Sequence, residues 1–355
     1  MPPIAGKDYP ASYVALLAWF PDDDSCLDYL DWLRWPDGWF CPACGCEVGW
    51  RLASGRRECS GCGRQTSVTA GTIFHRTRTP LTVWFAAAWY LTSQKSGASA
   101  LGLKQVLGLG SYQTAWAMLH RFRTAMVRPG RELLSGEVEV DESVIGGAKP
   151  GKRGRGAAGK ILVAMAVEHK QPKGYGRIRI EAIPNAQAST LRAFILANVE
   201  PGSVIISDGL KSYPAAVGNE FTHKPFNVAS SGHAAHIPLP GVHRVASLLK
   251  RWLLGTHQGA IDADHIQTYL NEFCFRFNRR NSRSRGMLFY RLMQQSAAMS
   301  PVTYRQLVSN PRPDSRPNTK PSDSKRNPSS LSLPPVGRPW RHLPGQTPSD
   351  ATTST

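Results

Sequence analysis

Asp141 and Asp208 each stand at the end of a run that reads as a β-strand. Asp141 closes the alternating segment Glu137-Val-Glu-Val-Asp141, and Asp208 closes the apolar segment Ser203-Val-Ile-Ile-Ser-Asp208. Alternation marks a half-buried strand and a short apolar run a buried one. Further on, Val242 to Leu254 reads as an amphipathic helix carrying His243, Ser247 and Lys250 on one face. Two carboxylates at strand ends can hold divalent cations about 3.5–4 Å apart, one to activate an attacking oxygen and one to stabilise a leaving oxygen. The chemistry this points to is cleavage or transfer of phosphodiesters. A third ligand normally follows on a helix. No carboxylate sits there; His243 occupies the place, and imidazole binds Mn²⁺ more readily than Mg²⁺. Lys250 would hold a phosphate near the reacting bond.

An aspartate at a strand end is more often a turn residue, so the joint pattern carries this reading. Other acids compete for the same roles. Glu137 and Glu139 share the strand face of Asp141, whereas Glu142 points the other way. Asp262, Asp264 and Glu272 are later alternatives to His243.

Composition narrows the substrate. The 355 residues are 41% hydrophobic, enough for one good core plus smaller modules. With 43 Lys+Arg against 25 Asp+Glu, the net charge is +18, and a chain this basic usually neutralises a polyanion. Double-stranded DNA is the expected partner. The first residues carry no apolar signal segment, and the longest apolar run, Val83 to Leu91, is far short of the ~20 residues that span a bilayer. The expected location is the cytoplasm, associated with the nucleoid.

Two Cys-x-x-Cys knuckles, Cys41-Pro-Ala-Cys44 and Cys59-Ser-Gly-Cys62, lie 14 residues apart. Four thiolates at this spacing can surround one structural Zn²⁺. Gly45 and Gly63 follow each second cysteine, where a tight turn brings backbone N–H groups toward sulfur. Cys46 could replace Cys44. Trp35, Trp39, Phe40 and Trp50 would pack the ribbon, and Arg51, Arg56, Arg57 and Arg64 could touch DNA.

The elements that must position these residues fall in zones. Residues 1–76 form the zinc ribbon. Residues 77–132 form a helical, helix-turn-helix-like DNA-binding domain: Ser99 to Leu107 is one helix, Gly108-Leu-Gly110 a break, and Ser111 the cap of a second helix. Gln113 and Arg121 of that second helix are candidate DNA contacts. Residues 133–286 alternate strands (137–141, 160–168, 176–183, 204–208) with helices (189–199, 243–254, 262–278). Three strands, a helix and a fourth strand fit an α/β fold, a mixed sheet with flanking helices of the ribonuclease-H-like kind. Two basic stretches frame the site. Lys152, Arg153 and Arg155 lie in a glycine-rich loop, and Arg279 and Arg280 end the last helix; all five could track a phosphate backbone. Residues 287–309 form a C-terminal helical extension. Residues 310–355 are a basic, Pro/Ser-rich tail expected to be disordered.

Several of these blocks resemble a bacterial insertion-sequence transposase family over residues 20 to 300. They are the two cysteine knuckles with Ser67-Val-Thr-Ala-Gly-Thr-Ile-Phe-His75, then Leu107 to Trp116, Val140-Asp-Glu-Ser-Val-Ile-Gly-Gly147, Ser207-Asp-Gly209, Val242 to Lys250, Trp252 to His257, and Glu272 to Arg280. The resemblance implies a DDE-type transposase with a ribonuclease-H-like core, a zinc ribbon before it, and Mg²⁺ or Mn²⁺ at the catalytic centre. It implies an enzyme that binds the ends of its insertion sequence, cuts there with metal-activated water, and joins the freed 3′-OH to target DNA. Such an enzyme would act as a homo-oligomer on DNA. Asp141 and Asp208 match the two aspartates and Lys250 the following basic residue; His243 stands where most DDE enzymes carry Glu, a departure that occurs in this group. A DNA-binding protein derived from a transposase, with its chemistry lost, is the alternative. A tyrosine recombinase using Arg279, Arg280 and Tyr290 is a more distant one.

Overall fold

The computed structural model describes residues 3–146, 160–170, 172–226, 239–259 and 262–308. The expected basic loop with Lys152, Arg153 and Arg155, and the tail from residue 310, lie outside the described residues. The chain divides into two compact units. One combines residues 3–93 with Arg283–Pro301, and the other combines 94–282 with 302–308. The segment 77–132, read from sequence as one helical domain, is split between them.

The first unit opens with two helices that the sequence reading did not separate from the ribbon, α1 (Tyr13–Trp19) and α2 (Asp23–Arg34). Asp22 caps α2 reciprocally with Ser25, satisfying two N–H groups that the first turn would otherwise leave open. Next come the short strands β1 (Gly49–Arg51), β2 (Arg57–Cys59) and β3 (Gln65–Thr66), an antiparallel sheet in that order, and helix α3 (Leu81–Ser93). The helix Arg285–Ala298, numbered α10 in chain order, packs on α3 and α2. Aromatic rings join these helices: Phe20 lies 4.6 Å from Phe85 and 5.0 Å from Tyr29, and Phe289 lies 5.9 Å from Phe85. Tyr290, the nucleophile of the recombinase reading, is 2% exposed on α10 and cannot present its hydroxyl to a DNA strand.

Within this unit the cysteine knuckles close on each other. Cys41 Sγ lies 3.7 Å from Cys62 Sγ, and Cys44 Sγ lies 3.5 Å from Cys59 Sγ; all four sulfurs fall within 4.8 Å. A tetrahedron with Zn–S bonds of about 2.3 Å has sulfur–sulfur edges of about 3.8 Å. The four thiols therefore fit one zinc ion. The turns explain why. Gly45 N–H donates to Cys41 O and Gly63 N–H to Cys59 O, and both glycines have positive φ (76° and 65°), which suits glycine best. Backbone N–H groups of Ala43 and Cys44 aimed at the Cys41 sulfur pull its thiol down to about 6. Cys46 stands outside the four, with its sulfur 3.5 Å from Ser60 Oγ. Two of the four arginines read as DNA contacts are paired within the unit: Arg51 with Asp28, and Arg57 with Asp31 at 2.6 Å. Arg56 and Arg64 remain exposed.

The second unit begins with helices α4 (Ala100–Val106) and α5 (Tyr112–Ala125), capped by Ser99 and Ser111 and separated by Gly108 at φ 60°. A five-stranded mixed sheet follows. Its strands are β4 (Glu137–Ile145), β5 (Ile161–His169), β6 (Tyr175–Ala182), β7 (Val204–Asp208) and β8 (Thr222–Phe226), in the order β6-β5-β4-β7-β8. The β4–β5 and β5–β6 pairs are antiparallel; β4–β7 and β7–β8 are parallel. Helix α6 (Ala188–Asn198) makes the crossover to β7, and α7 (Tyr213–Val217) the short one to β8. Helices α8 (Pro240–His257), α9 (Ile266–Asn278) and α11 (Tyr304–Val308) complete the unit. This is the mixed sheet with flanking helices of a ribonuclease-H-like core.

Each sheet face has its own core. Val138, Val140, Ala164, Ala166 and Ile205 pack with Leu191, Phe194 and Ile195 of α6. Ile145, Val163, Met165, Val167, Ile178 and Ile180 pack with Val242, Val245 and Leu249 of α8 and with Leu270 and Phe273 of α9. Period-two alternation along the strands assigns residues to these faces.

Two expectations need correction. Asp141 does not end its strand: β4 runs on to Ile145, because β5 continues to pair with it through Val144↔Leu162 and Ile145↔Ile161. The second helix of the expected helix-turn-helix, α5, is mostly buried, with Ala115, Ala117, Met118, Leu119, His120, Phe122 and Arg123 all enclosed. Small apolar residues on more than one face let it pack against α4 and α9. Gln113 is exposed, but Arg121 donates through Nε to Val302 O at 2.9 Å.

Glu272 also moves out of the candidate site. It is fully buried and accepts from Arg123 Nε at 2.8 Å and Arg276 Nε at 2.9 Å. Burial favours its neutral form, but the two guanidinium charges outweigh that and hold its carboxyl below the usual range. Beside this network, burial drives the His120 imidazole down to about 2 and the His257 imidazole to about 4, helped by the charge of Arg123.

Two outcomes follow from these contacts. The folded state refuses protons that His120 and His257 accept near pH 6.5 when unfolded, so stability is complete above that pH and falls as pH drops toward 4; each histidine costs about 2 kcal/mol by pH 5. His120→Phe should flatten the decline of Tm between pH 6.5 and 5. For the ribbon, metal analysis should find one zinc per chain, lost in Cys59→Ser and kept in Cys46→Ser.

Candidate active site

Strand register and alternation give the two aspartates one face of the sheet. In the parallel pair, Glu137, Val138 and Glu139 of β4 stand opposite Val204, Ile205 and Ile206 of β7. The paired residues end at Glu139 and Ile206, each two positions before its aspartate. Val138 and Ile205 belong to the α6 face, so alternation turns Asp141 and Asp208 together toward the α8 face. Neighbouring strands run about 4.8 Å apart. The two aspartates and His243 do not bring their ligand atoms within the 4.8 Å that encloses the four cysteine sulfurs. Both aspartates are half-buried. Asp141 Oδ1 accepts from the Glu142 N–H at 2.8 Å, and Asp208 Oδ1 from the Leu210 N–H at 3.0 Å, which orients each carboxylate.

Tyr213 records their joint field. It is wholly buried at the start of α7, and its phenol is pushed well above its ordinary range, first by burial and then by the charges of Glu142, Asp141 and Asp208. All three acids thus act on Tyr213, Glu142 from its own face of the sheet and the two aspartates from the other. Sequence reasoning missed Tyr213, since nothing local marks a tyrosine after a strand as a neighbour of distant carboxylates. On the α6 face, Ser207 Oγ lies 2.9 Å from His223 Nε2, across the β7–β8 pair.

Helix α8 covers the Asp141 face. Val242, Val245, Ala246, Leu249 and Leu253 are its buried side. His243, half-buried, and Ser247 and Lys250, both exposed, run along its border. The start of the helix lies over β4, because Val242 N–H donates to Glu139 Oε2 at 2.7 Å. His243 is therefore adjacent to a residue tied two positions from Asp141. Glu139, read from sequence as a possible ligand, is fully buried, and its other oxygen lies 2.6 Å from His169 Nε2. Glu137, the other alternative, pairs with Lys224 at 2.8 Å. Asp262 and Asp264 are exposed in the turn before α9.

Two carboxylates and one imidazole are the residue types on offer here; carboxylate oxygens suit Mg²⁺ or Mn²⁺, and an imidazole nitrogen would favour Mn²⁺. The arginines at the end of α9 are partly engaged. Arg279 stacks over Phe275 at 3.9 Å; Arg280 stacks over Phe277 at 4.1 Å and donates to the carbonyls of Tyr175 and Gly176. No described helix is long and apolar enough to cross a membrane.

Known proteins resemble both the ribbon and the sheet-bearing part of the chain. Residues 133–278 match the ISXO2-like transposase domain, and residues 21–65 match the transposase zinc-ribbon domain. A protein from Halobacterium salinarum, described as an uncharacterized protein in transposable element ISH50, is 26% identical over 280 residues, covering 72% of this chain and 91% of that protein. An uncharacterized transposase-like protein of Haemophilus influenzae is 30% identical over 116 residues, covering 32% of this chain and 91% of that protein. A mixed sheet with flanking helices, a four-cysteine ribbon and these matches lead to one assignment: the chain belongs to the insertion-sequence transposase family with an ISXO2-like transposase domain.

Proposed function

We propose that the chain binds the ends of its insertion sequence and catalyses metal-dependent DNA strand cleavage and strand transfer. The observation that supports this most is the β4–β7 register, whose alternation gives Asp141 and Asp208 the same sheet face, the face that α8 covers over β4 and β5. Asp141, Asp208 and His243 would hold the divalent ions. When bound, such ions lower the pKa of water and stabilise the departing oxygen. Lys250, an exposed ammonium seven residues after His243, would hold a non-bridging phosphate oxygen as a point charge.

In the first reaction water attacks a phosphorus at the element's end; its P–O3′ bond breaks and a 3′-OH is released. In the second that hydroxyl attacks a target phosphorus, so one phosphodiester forms as another breaks and no covalent link to protein is needed. The net charge of +18 supports DNA as the substrate. Gln113 and the exposed Arg56 and Arg64 are available for contact. Arg279 and Arg280, with Lys152, Arg153 and Arg155, would follow the phosphate backbone. Holding two ends at once calls for a homo-oligomer working on DNA in the cytoplasm.

Asp141→Asn and Asp208→Asn should each lower cleavage of an end-bearing duplex about a thousandfold or more while end binding persists. A chain that merely binds DNA would show no metal-dependent cleavage in the wild type. His243→Glu should move the preferred ion from Mn²⁺ toward Mg²⁺, read as the ratio of cleavage rates in the two metals. Gln113→Ala should weaken end binding without changing the rate of cleavage at saturating protein.

A further inference from the structure

Helix α8 starts without a cap of its own. Its N-cap residue is Leu239, which offers no side-chain acceptor, and Pro240 has no N–H to satisfy. The first N–H groups of any helix lack intrahelical partners, and the partial positive charge there favours an anion. The acceptor comes instead from the sheet. Glu139 Oε2 takes the N–H of Val242, the third residue of the helix, at 2.7 Å. Its other oxygen is held by His169 Nε2 at 2.6 Å, and the His169 ring lies edge-on to Tyr175, 5.7 Å between centres. The approach requires Gly241: a Cβ there would stand 2.6 Å from Tyr175 Cε1 and 2.9 Å from Glu139 Oε2. Glu139 is fully buried, sits two residues from Asp141 on the same face, and grips the residue adjacent to His243.

We propose that Glu139 is a positioning residue of the reaction. By capping α8 from the strand that carries Asp141, it sets His243 at the level of the two aspartates, and His169 holds its carboxylate in the capping orientation. This rests on the proposed strand-cleavage function. Glu139 touches neither DNA nor metal in this role; it acts through the backbone of Val242. Gly241, Tyr175 and His169 are the supports of the contact.

The test uses the full chain and a duplex carrying the ends of its own element, with cleavage rate, end-binding Kd, Tm and the Mn²⁺ concentration for half-maximal rate measured together. Glu139→Gln keeps an oxygen for the Val242 N–H and an amide for His169, so cleavage should stay within about fivefold of wild type. Glu139→Leu removes the acceptor at similar volume. It should lower cleavage about a hundredfold and raise the Mn²⁺ requirement, with end-binding Kd unchanged. Gly241→Ala, which removes no carboxylate but forces Glu139 and the helix start apart, should reproduce the Glu139→Leu pattern; it keeps the test decisive if Glu139→Leu does not fold. Glu139→Gln as inactive as Glu139→Leu would make Glu139 a metal ligand and overturn the proposal. Wild-type cleavage in Glu139→Leu or Gly241→Ala would overturn it too, as would a parallel loss of Tm, binding and cleavage in both. Full cleavage by Asp141→Asn would instead overturn the assignment of the site itself.

Discussion

Parallel pairing of β4 with β7 is the constraint on which the site depends. β4 is the central strand, held antiparallel by β5 on one side and parallel by β7 on the other. A slip of one residue between β4 and β7 would turn Asp208 to the α6 face and bury Ile205 under α8 instead. The cores prevent the slip. Val138, Val140 and Ile205 fill the α6 face, and a slip would withdraw Ile205 and Ser207 from it and bring in Val204, Ile206 and Asp208, driving a carboxylate into an apolar layer. Hydrophobic burial on the side away from the chemistry thus decides where the carboxylates point.

A second constraint is ionic. Glu272, Arg123 and Arg276 form a buried triad that ties α5 to α9, and Arg123 and Arg276 also reach the carbonyls of Ala98 and Gln94. Desolvating three charges is expensive, and such a triad holds only when every member is bonded; removing one partner typically costs 3–5 kcal/mol. The triad explains why α5 is a structural helix with one exposed turn, at Tyr112 and Gln113, instead of a free recognition helix. Trp252 of α8 adds to the same region by donating through Nε1 to Ser96 O at 2.7 Å, with Gly97 leaving room for the ring. The helix bearing His243 and Lys250 is therefore held at both ends, by Glu139 at its start and by the 94–98 segment near its finish.

The first unit solves a different problem. Its three short strands bury little, and four thiols that fit one zinc ion supply the cross-link a small core cannot. The ribbon's arginines divide by circumstance. Those facing α2 find Asp28 and Asp31, while Arg56 and Arg64 stay at the surface.

Much of this was legible in the residues, because local rules governed it. The knuckle spacing and its glycines named the metal site; Ser99 and Ser111 named two caps; alternation in Glu137–Asp141 and the apolar run before Asp208 named the strands. The match of that order to a ribonuclease-H-like sheet needed no distances. What failed needed partners far away in sequence. Strand β8 carries Pro225 and no alternation, and it is a strand because β7 offers it an open edge. β4 extends past Asp141 because β5 accompanies it. Glu139, Glu272 and Asp141 are all carboxylates in promising places. Only tertiary contacts tell that the first caps a helix, the second closes a buried triad, and the third lies within a strand that runs on past it. The kinds of chemistry available are written in residue types and short spacings. Which acid performs which task depends on pairing between segments scores of residues apart, and no local pattern encodes that.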